Sequence, residues 1–257
     1  MAVREENAYL LDLEAGYQTR FTSVVRALPP GGAILESTLF YPTGGGQPCD
    51  QGRFRLADGS TVRVDAVESR SGTTIHRIRS QDLPRLSPGL AVEGEIDWER
   101  RYGHMRGHTG QHLLSALAFR RFGLRTERAR IGGAGGSFEL TGPLPGPSSR
   151  EELYAQANEE FFTRPVRVSL RFVSPEELLR EPGRSGTERL PQGLERIRLV
   201  EIAGADFAPC GGTHVRSTEE VGTVVDAGEV PLGGGGVRLE FRLKDPQRAA
   251  PSPIPPA

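Results

Sequence analysis

Residues 98–122 read WERRYGHMRGHTGQHLLSALAFRRF and have the spacing of one long helix. Four apolar residues of its second half recur at intervals of three and four and so share one face; they are Leu113, Leu114, Leu117 and Ala118. Gly123 follows as a stop signal. Strand-like runs precede this helix, and helical and strand-like runs alternate after it, so the sequence predicts an α+β fold.

The chain before the helix consists of short apolar runs separated by turn signals. The runs lie at 33–39, 54–56 and 61–67, and the turns read PPGG, YPTGGG and ADGS. This alternation predicts a small β domain over residues 1–92. Residues 83–90 contain two prolines and a glycine, so we place the domain boundary after this stretch.

The chain after the boundary predicts a second domain, of mixed type, over residues 93–244. A second helix is predicted at 149–162, and strands at 92–96, 166–173, 197–202, 221–225 and 237–243. The GGGG run at 233–236 is predicted to be a hairpin loop, and 174–193 an excursion or flexible loop. Residues 245–257 are rich in proline and predict a disordered tail.

Composition excludes several classes of protein. The formal net charge is -1, so any nucleic-acid binding must come from a local patch. Lys244 is the single lysine, which leaves no candidate for a P-loop or Schiff-base lysine. No apolar run reaches the roughly 18 residues of a membrane helix, and the N-terminus lacks a signal-peptide pattern. We therefore expect a cytoplasmic protein without a membrane segment. We also expect a monomer.

Three of the five histidines fall on one face of the predicted helix, because His104, His108 and His112 are spaced at four and eight residues. Two imidazoles at i and i+4 reach a single zinc ion with little distortion. His104 and His112 are two turns apart, so we place His104 outside the ligand set. A helical histidine pair by itself is also common on protein surfaces and in cores.

A second pair of candidate ligands lies in Cys210-Gly-Gly-Thr-His214, where the two glycines let the backbone wrap around an ion. A thiolate with imidazoles favours zinc. The alternative is that Cys210 is a small buried apolar residue and His214 a loop residue. Four protein ligands are typical of structural zinc, whereas catalytic zinc keeps one position open. For an enzyme we therefore expect one displaceable ligand, and His214 is our candidate.

Three motifs resemble the editing region of alanyl-tRNA synthetase: HTGQHLL at 108–114, CGGTHV at 210–215 and FYPTGGGQPCDQG at 40–52. The chain has no room for an aminoacylation domain and is similar to the free-standing AlaX-type alanyl-tRNA editing proteins that carry an extra N-terminal domain. The likeness covers about residues 10–243. It implies an N-terminal β-barrel-like domain and a mixed α/β, zinc-binding editing domain of the threonyl/alanyl-tRNA synthetase second-additional-domain type.

The resemblance also implies an activity and a site. The activity is hydrolysis of the ester that joins serine or glycine to alanine tRNA, with Zn²⁺ as cofactor and the acceptor end of the mischarged tRNA as partner. Family zinc ligands map onto His108, His112, Cys210 and His214. The Gly-rich loop of the family maps onto Gly44, Gly45, Gly46 and Gln47. Our hypothesis for the polar residues of the pocket is Gln111 or Thr109. The alternative for the Gly-rich loop is a β-turn without substrate contact.

The sequence departs from the family at two places. Synthetases carry HTATH where this chain reads HTGQH, so Gln111 takes the place of the second threonine. They carry GVRRIEA where this chain reads GVRLEFR, so Arg238 matches and the second arginine of the motif is absent. Five arginines in the last turn of the helix and just after it are either phosphate contacts or a solvated helix end: Arg120, Arg121, Arg125, Arg128 and Arg130. Rival functions are a zinc-stabilised tRNA-binding module and a zinc hydrolase of small esters. A metalloprotease is disfavoured because Thr109 stands where the glutamate base is needed.

Overall fold

The computed structural model describes residues 7–162, 164–180, 195–244 and 252–254. The described residues form two compact units. The first, the barrel unit, comprises residues 7–44, 48–102 and 252–254, and the second, the mixed unit, comprises residues 45–47, 103–162, 164–180 and 195–244. The short segment Gly45–Gln47 thus belongs to a different unit from the residues on either side of it.

Six antiparallel strands close the barrel in the order β1-β2-β5-β4-β3-β6. They are β1 (Arg20–Ala27), β2 (Gly32–Leu35), β3 (Gly52–Arg55), β4 (Thr61–Arg70), β5 (Thr73–Ile78) and β6 (Ala91–Ile96). Alternate residues point inward, and a shift of register in β4 between Val64 and Ala66 keeps Val62, Val64 and Val67 all buried. Closure leaves the barrel without a free sheet edge.

The strand β6 lies on the barrel side of the division in the structure. It pairs with both β1 and β3, and the barrel unit continues to Tyr102. The sequence places the boundary about ten residues earlier, after residue 92. The difference arises because Leu83–Leu90, which looks like a linker, is a turn between two strands of the same barrel, with a short 3-10 helix at Leu83–Arg85.

A buried ion pair ties the first turn of the long helix α1 (Trp98–Phe122) into the barrel unit. Arg101 and Asp50 are both fully buried, and Nε of Arg101 lies 3.0 Å from Oδ1 of Asp50. The guanidinium also donates to the carbonyl oxygens of Gly16, at 2.8 Å, and Leu39, at 2.6 Å. Each charge therefore has hydrogen-bonding partners, which buried charges require.

The mixed unit contains two antiparallel sheets, ordered β12-β13-β8-β7 and β11-β10-β9. Its strands are β7 (Thr126–Gly132), β8 (Gly135–Leu140), β9 (Val168–Val173), β10 (Ile197–Ile202), β11 (Asp206–Pro209), β12 (Val224–Pro231) and β13 (Val237–Leu243). Its other helices are α2 (Ser149–Phe162) and α3 (Pro175–Arg180). The predicted fold class, a small β-barrel followed by a mixed α/β part, is confirmed.

Several predicted elements have the predicted bounds, among them α1, α2, β10 and β13, and the GGGG run joins β12 to β13 as a hairpin. Part of the predicted excursion at 174–193 forms α3, and residues 181–193 lie outside the described residues. In the predicted tail only 252–254 is described, where the amide of Ile254 donates to the carbonyl of Tyr17 at 3.0 Å. No described helix is long and apolar enough to cross a membrane.

We expect His76 to make the stability of the barrel unit depend on pH. This fully buried imidazole contacts Thr38 Oγ1 at 2.9 Å and the carbonyl of Ala33 at 3.1 Å, and burial lowers its pKa from 6.5 to about 4. At pH values between these two pKa values, the unfolded chain therefore binds a proton at His76 and the folded chain does not. His76 should therefore contribute a decrease of about 1.4 kcal/mol per pH unit to the free energy of unfolding as pH decreases from about 6.5 to about 4.

The measurement is denaturant unfolding followed by fluorescence of Trp98, the one tryptophan, which stacks on Tyr102 within the barrel unit. The control is His76→Gln, which retains polar groups but does not titrate in this range. In this variant the free energy of unfolding should depend less steeply on pH, because the contribution of His76 is missing. Equal slopes in the two proteins would contradict the assignment.

Candidate metal centre

Four side chains with metal-binding atoms meet in the mixed unit. His108 and His112 lie one turn apart on α1, Cys210 directly follows β11, and His214 lies in the loop after it. One ligand atom from each lies within 4.8 Å of all the others. The structure therefore brings together the two pairs that the sequence singles out, and the cluster can hold a metal ion.

The distances between the donor atoms suit a small divalent ion. Cys210 Sγ lies 3.5 Å from Nε2 of His108 and 3.3 Å from Nε2 of His214. An ion bound tetrahedrally at roughly 2.0–2.3 Å from nitrogen and sulfur would hold these atoms about 3.5 Å apart. These two distances already match that geometry, and all four donor atoms lie within 4.8 Å of one another.

His108 is oriented by Gln47 of the Gly-rich loop. Its Nδ1 lies 2.8 Å from Gln47 Oε1, and that oxygen also accepts from the amide of Thr213 at 3.1 Å. A backbone amide can only donate, so the Thr213 amide identifies Oε1 as the oxygen, and the Gln47 amide nitrogen donates to Thr213 Oγ1 at 2.9 Å. An acceptor at Nδ1 places the proton of neutral His108 there, so its Nε2 lone pair is free for a metal.

The other two imidazoles are held in the same way. His112 Nδ1 lies 3.0 Å from Asp206 Oδ2, and His214 Nδ1 lies 3.1 Å from Thr109 Oγ1. The amide of Val215 also donates to Thr109 Oγ1, at 3.3 Å. Each histidine thus uses Nδ1 for a protein partner and has Nε2 directed toward the other donor atoms. In protein metal sites a ligand histidine usually forms such a hydrogen bond through the nitrogen that does not bind the metal.

Electrostatics favour an ionised cysteine beside these imidazoles. Burial raises the pKa of the Cys210 thiol, but the charges of His108 and His214 and hydrogen bonds from the imidazoles outweigh burial, so the pKa lies well below 9.0. For His112, burial lowers the pKa, but the hydrogen bonds to Asp206 and Cys210 raise it to about 10.

The Gly-rich loop is shaped by two consecutive left-handed residues, Gly45 with φ 56° and Gly46 with φ 83°. A Cβ on Gly46 would overlap the carbonyl oxygen of Ala129, and the carbonyl of Gly46 accepts from the amide of Ile131 at 2.8 Å. The loop is thereby fixed against β7. This anchoring holds the following residue, Gln47, at His108.

A cleft of about 270 Å³ opens beside the donor cluster. His108, His112 and Cys210 all line it, whereas His214 does not and is only 1% exposed. The prediction that His214 is the displaceable ligand is therefore at odds with its position. Cys210 is half-buried and borders the cleft directly.

A chain of hydrogen bonds fixes one wall of the cleft. Gln111 Nε2 donates to Ser115 Oγ at 2.6 Å, and that oxygen lies 2.6 Å from Thr126 Oγ1. All three residues line the cleft. The amide of Gln111 is thus held in one orientation at the cleft surface.

The structure divides the predicted pocket residues into two groups. Gln111 and Gly45 line the cleft, whereas Gln47 and Thr109 are buried and hold the ligand histidines. His104 is buried on α1 and is not one of the four clustered residues. Residues that the sequence did not single out are Asp206, Thr213, Ser115 and Thr126. A hint for Asp206 was its place four residues before Cys210.

The chain matches two families of tRNA-synthetase domains. Residues 7–100 match the family described as tRNA synthetases class II (A), and residues 197–225 match the one described as threonyl and alanyl tRNA synthetase second additional domain. The second match includes Asp206, Cys210 and His214. Both matches are to parts of the chain.

Relatives are similar over much greater lengths. The alanyl-tRNA editing protein AlaX-M of Methanosarcina barkeri is 30% identical over 245 residues, 93% of this chain and 99% of the relative. AlaX-M of Saccharolobus solfataricus is 31% identical, with 93% and 99% covered. AlaX-L of Pyrococcus horikoshii is 35% identical over 74% of this chain, which spans 46% of that longer relative.

Substituting Asp206→Asn should weaken metal binding by about 10- to 100-fold. The amide keeps a hydrogen-bond acceptor for His112 but removes the negative charge that increases the basicity of the imidazole. Affinity is measured by competition with a chromophoric chelator near neutral pH. The matched control is Asp226→Asn, whose carboxylate pairs with Arg150 at 2.6 Å instead. Equal affinity of the Asp206 variant and the parent would refute the role.

Substituting Gly212→Ala should abolish stoichiometric metal binding. The added Cβ would overlap Cε1 and Nδ1 of His108 and lie 2.9 Å from Gln47 Oε1, so it would push the ring off its partner. Bound metal is counted by elemental analysis, with circular dichroism to verify folding. Gly133→Ala serves as control, since no atom lies within 4 Å of its added Cβ. Full metal occupancy in the Gly212 variant would contradict this packing argument.

Proposed function

The chain belongs to the family of alanyl-tRNA editing proteins, and on that premise we propose that it is a trans-editing hydrolase. Its substrate is mischarged alanine tRNA, Ser-tRNA(Ala), Gly-tRNA(Ala) or both, and the bond cleaved is the ester between the amino acid and the tRNA. The observation that carries the proposal is the cleft, since three of the four clustered donor residues line it. A purely structural metal site needs no such access.

We propose zinc as the metal, held by His108, His112, Cys210 and His214. Three imidazoles and one thiolate form a donor set that zinc favours, and the occupied Nδ1 positions leave three Nε2 atoms for it. When bound, zinc supplies a positive charge that polarises an ester carbonyl or a water molecule. Gln47, Thr109 and Asp206 act as positioning residues because each holds one ligand.

The walls of the cleft suit an aminoacyl group. Its volume, about 270 Å³, is below the roughly 300–1,000 Å³ of pockets that enclose drug-sized ligands, so it accommodates the amino acid end and leaves the rest of the tRNA outside. Gln111 is fixed by Ser115, and its remaining amide groups are available to a hydroxyl or an ammonium group of the substrate. A site that hydrogen-bonds a serine hydroxyl discriminates against alanine, which leaves those groups unpaired.

We further propose that the protein acts as a monomer in the cytoplasm, where its tRNA substrate is charged and used. The described surface supports the monomer, because its only large exposed apolar side chains are Leu11, 46% exposed, and Val230, 43% exposed. Two other functions are the alternatives to this one. They are a zinc-stabilised tRNA-binding module, which the four-ligand cluster would also suit, and a zinc hydrolase of small esters.

Substituting Cys210→Ala should abolish both zinc binding and deacylation, because the thiolate contributes one of four ligands. Deacylation is measured on Ser-, Gly- and Ala-charged alanine tRNA, with zinc content determined on the same samples. Cys49→Ala is the matched control, since Cys49 lies in the core of the barrel unit. Loss of activity with full zinc content would instead indicate a nucleophilic thiol.

Assays on the unsubstituted protein distinguish the three functions. Deacylation of Ser- or Gly-tRNA(Ala) that disappears on chelation and returns with zinc supports editing. Binding without hydrolysis would point to the tRNA-binding module. Hydrolysis of free esters but of no charged tRNA would overturn the editing proposal.

A further inference from the structure

The five arginines at 120–130 fall into two classes in the structure. Arg120 Nη2 lies 2.7 Å from Glu160 Oε1, and Arg121 Nη2 lies 2.7 Å from Glu152 Oε2. The guanidinium of Arg125 lies 4.9 Å from the ring centroid of Phe119. These three have protein partners that account for their positions.

The remaining two, Arg128 and Arg130, are exposed on β7 and make no ion pair within the described part of the chain. Arg128 stands opposite Glu139 of β8, the acid that would be expected to neutralise it. That carboxylate is already bound by Arg238, whose Nη2 lies 2.8 Å and Nε 3.1 Å from Oε1. The positive charge of Arg128 is therefore uncompensated by its neighbour across the strands.

The position of β7 brings this charge to the cleft. β7 is an edge strand of its sheet, and its register shifts between Thr126 and Arg128, so Glu127 is an extra residue. Such a bulge redirects side chains, and here four consecutive residues, 126–129, line the cleft. Two acids line the cleft together with Arg128: Asp206 is bound to His112, and Glu127 forms no ion pair with Arg128 or Arg130 among the described residues. Arg130 follows as an exposed residue of β7, so this stretch of the strand carries two arginines and one unpaired acid.

The two arginines have the spacing of a nucleic-acid backbone. From residue 128 to 130 the pairing of β7 with β8 is regular, so both side chains lie on the same face, about 7 Å apart along the strand. Consecutive phosphates of a single strand are separated by a similar distance. The guanidinium group is well suited to phosphate because it donates two parallel hydrogen bonds.

We propose that Arg128 and Arg130 bind consecutive phosphates of the single-stranded acceptor end of the tRNA. Arg128 holds the phosphate nearest the cleft, and Arg130 holds the next one along the strand. This inference rests on the proposed function, because the cleft must receive the aminoacyl end. It supplies the local attraction that a chain of net charge -1 does not provide globally.

The test measures binding of uncharged alanine tRNA by fluorescence anisotropy as a function of salt. Each of Arg128→Gln and Arg130→Gln should reduce the slope of log Kd against log salt by about 0.7, and the double variant by about 1.4. The ratio of the Kd of the double variant to that of the parent should then shrink about sevenfold between about 50 and about 200 mM salt. An unchanged slope would overturn the proposal.

The matched control is the double variant Arg120→Gln/Arg121→Gln, which changes the net charge by the same amount a few residues away. Because these arginines are paired with Glu160 and Glu152, the control should leave the slope unchanged. If the slope decreased equally in both double variants, the effect would be due to net charge alone, and specific phosphate contacts by Arg128 and Arg130 would be refuted. Thermal melting and zinc content verify that every variant is folded.

A tRNA that lacks its three 3′-terminal nucleotides tests the placement. The parent and the Arg128/Arg130 double variant should bind this truncated tRNA with the same salt dependence. A difference that persists would place the contacts on the duplex stem and overturn the proposal. Binding does not require hydrolysis, so a parent that binds with the expected slope but deacylates nothing would refute the editing function while leaving these contacts intact.

Discussion

The metal centre depends on one constraint, which is that each of three histidines must present the same nitrogen to the ion. An imidazole has two nitrogens and can rotate, so a cluster of histidines does not by itself define a site. Here an amide, a carboxylate and a hydroxyl each engage one Nδ1. The conformational entropy of the imidazole rings is therefore lost during folding, and less remains to be lost when an ion binds.

The features that depend on local spacing could be predicted from the sequence. Helix α1, the pair His108 and His112, and the Cys-Gly-Gly-Thr-His loop all follow from intervals of a few residues. The orienting partners could not be predicted in this way, because Gln47 is 61 residues from His108 and Asp206 is 94 residues from His112. Only the tertiary fold makes them neighbours.

Two of the strands that the sequence analysis missed, β7 and β8, have a different explanation. β7 reads TERARIG and β8 begins with two glycines, so neither shows the alternation of apolar and polar residues that indicates a strand. They form because each pairs with a neighbour in a sheet, and pairing overrides weak local preference. The same polar character of β7 is what leaves arginines at the rim of the cleft.

The segment Gly45–Gln47 limits how this protein can be dissected. It belongs to the mixed unit, while the chain before Gly45 and after Gln47 belongs to the barrel unit. A fragment beginning at Gly103 would contain all four metal ligands and still lack Gln47, so His108 would lose the group that selects its tautomer. No single cut of the chain yields a self-sufficient catalytic module. Insertions, gene fusions and domain transplants that treat the N-terminal third as a detachable accessory would remove part of the metal site with it.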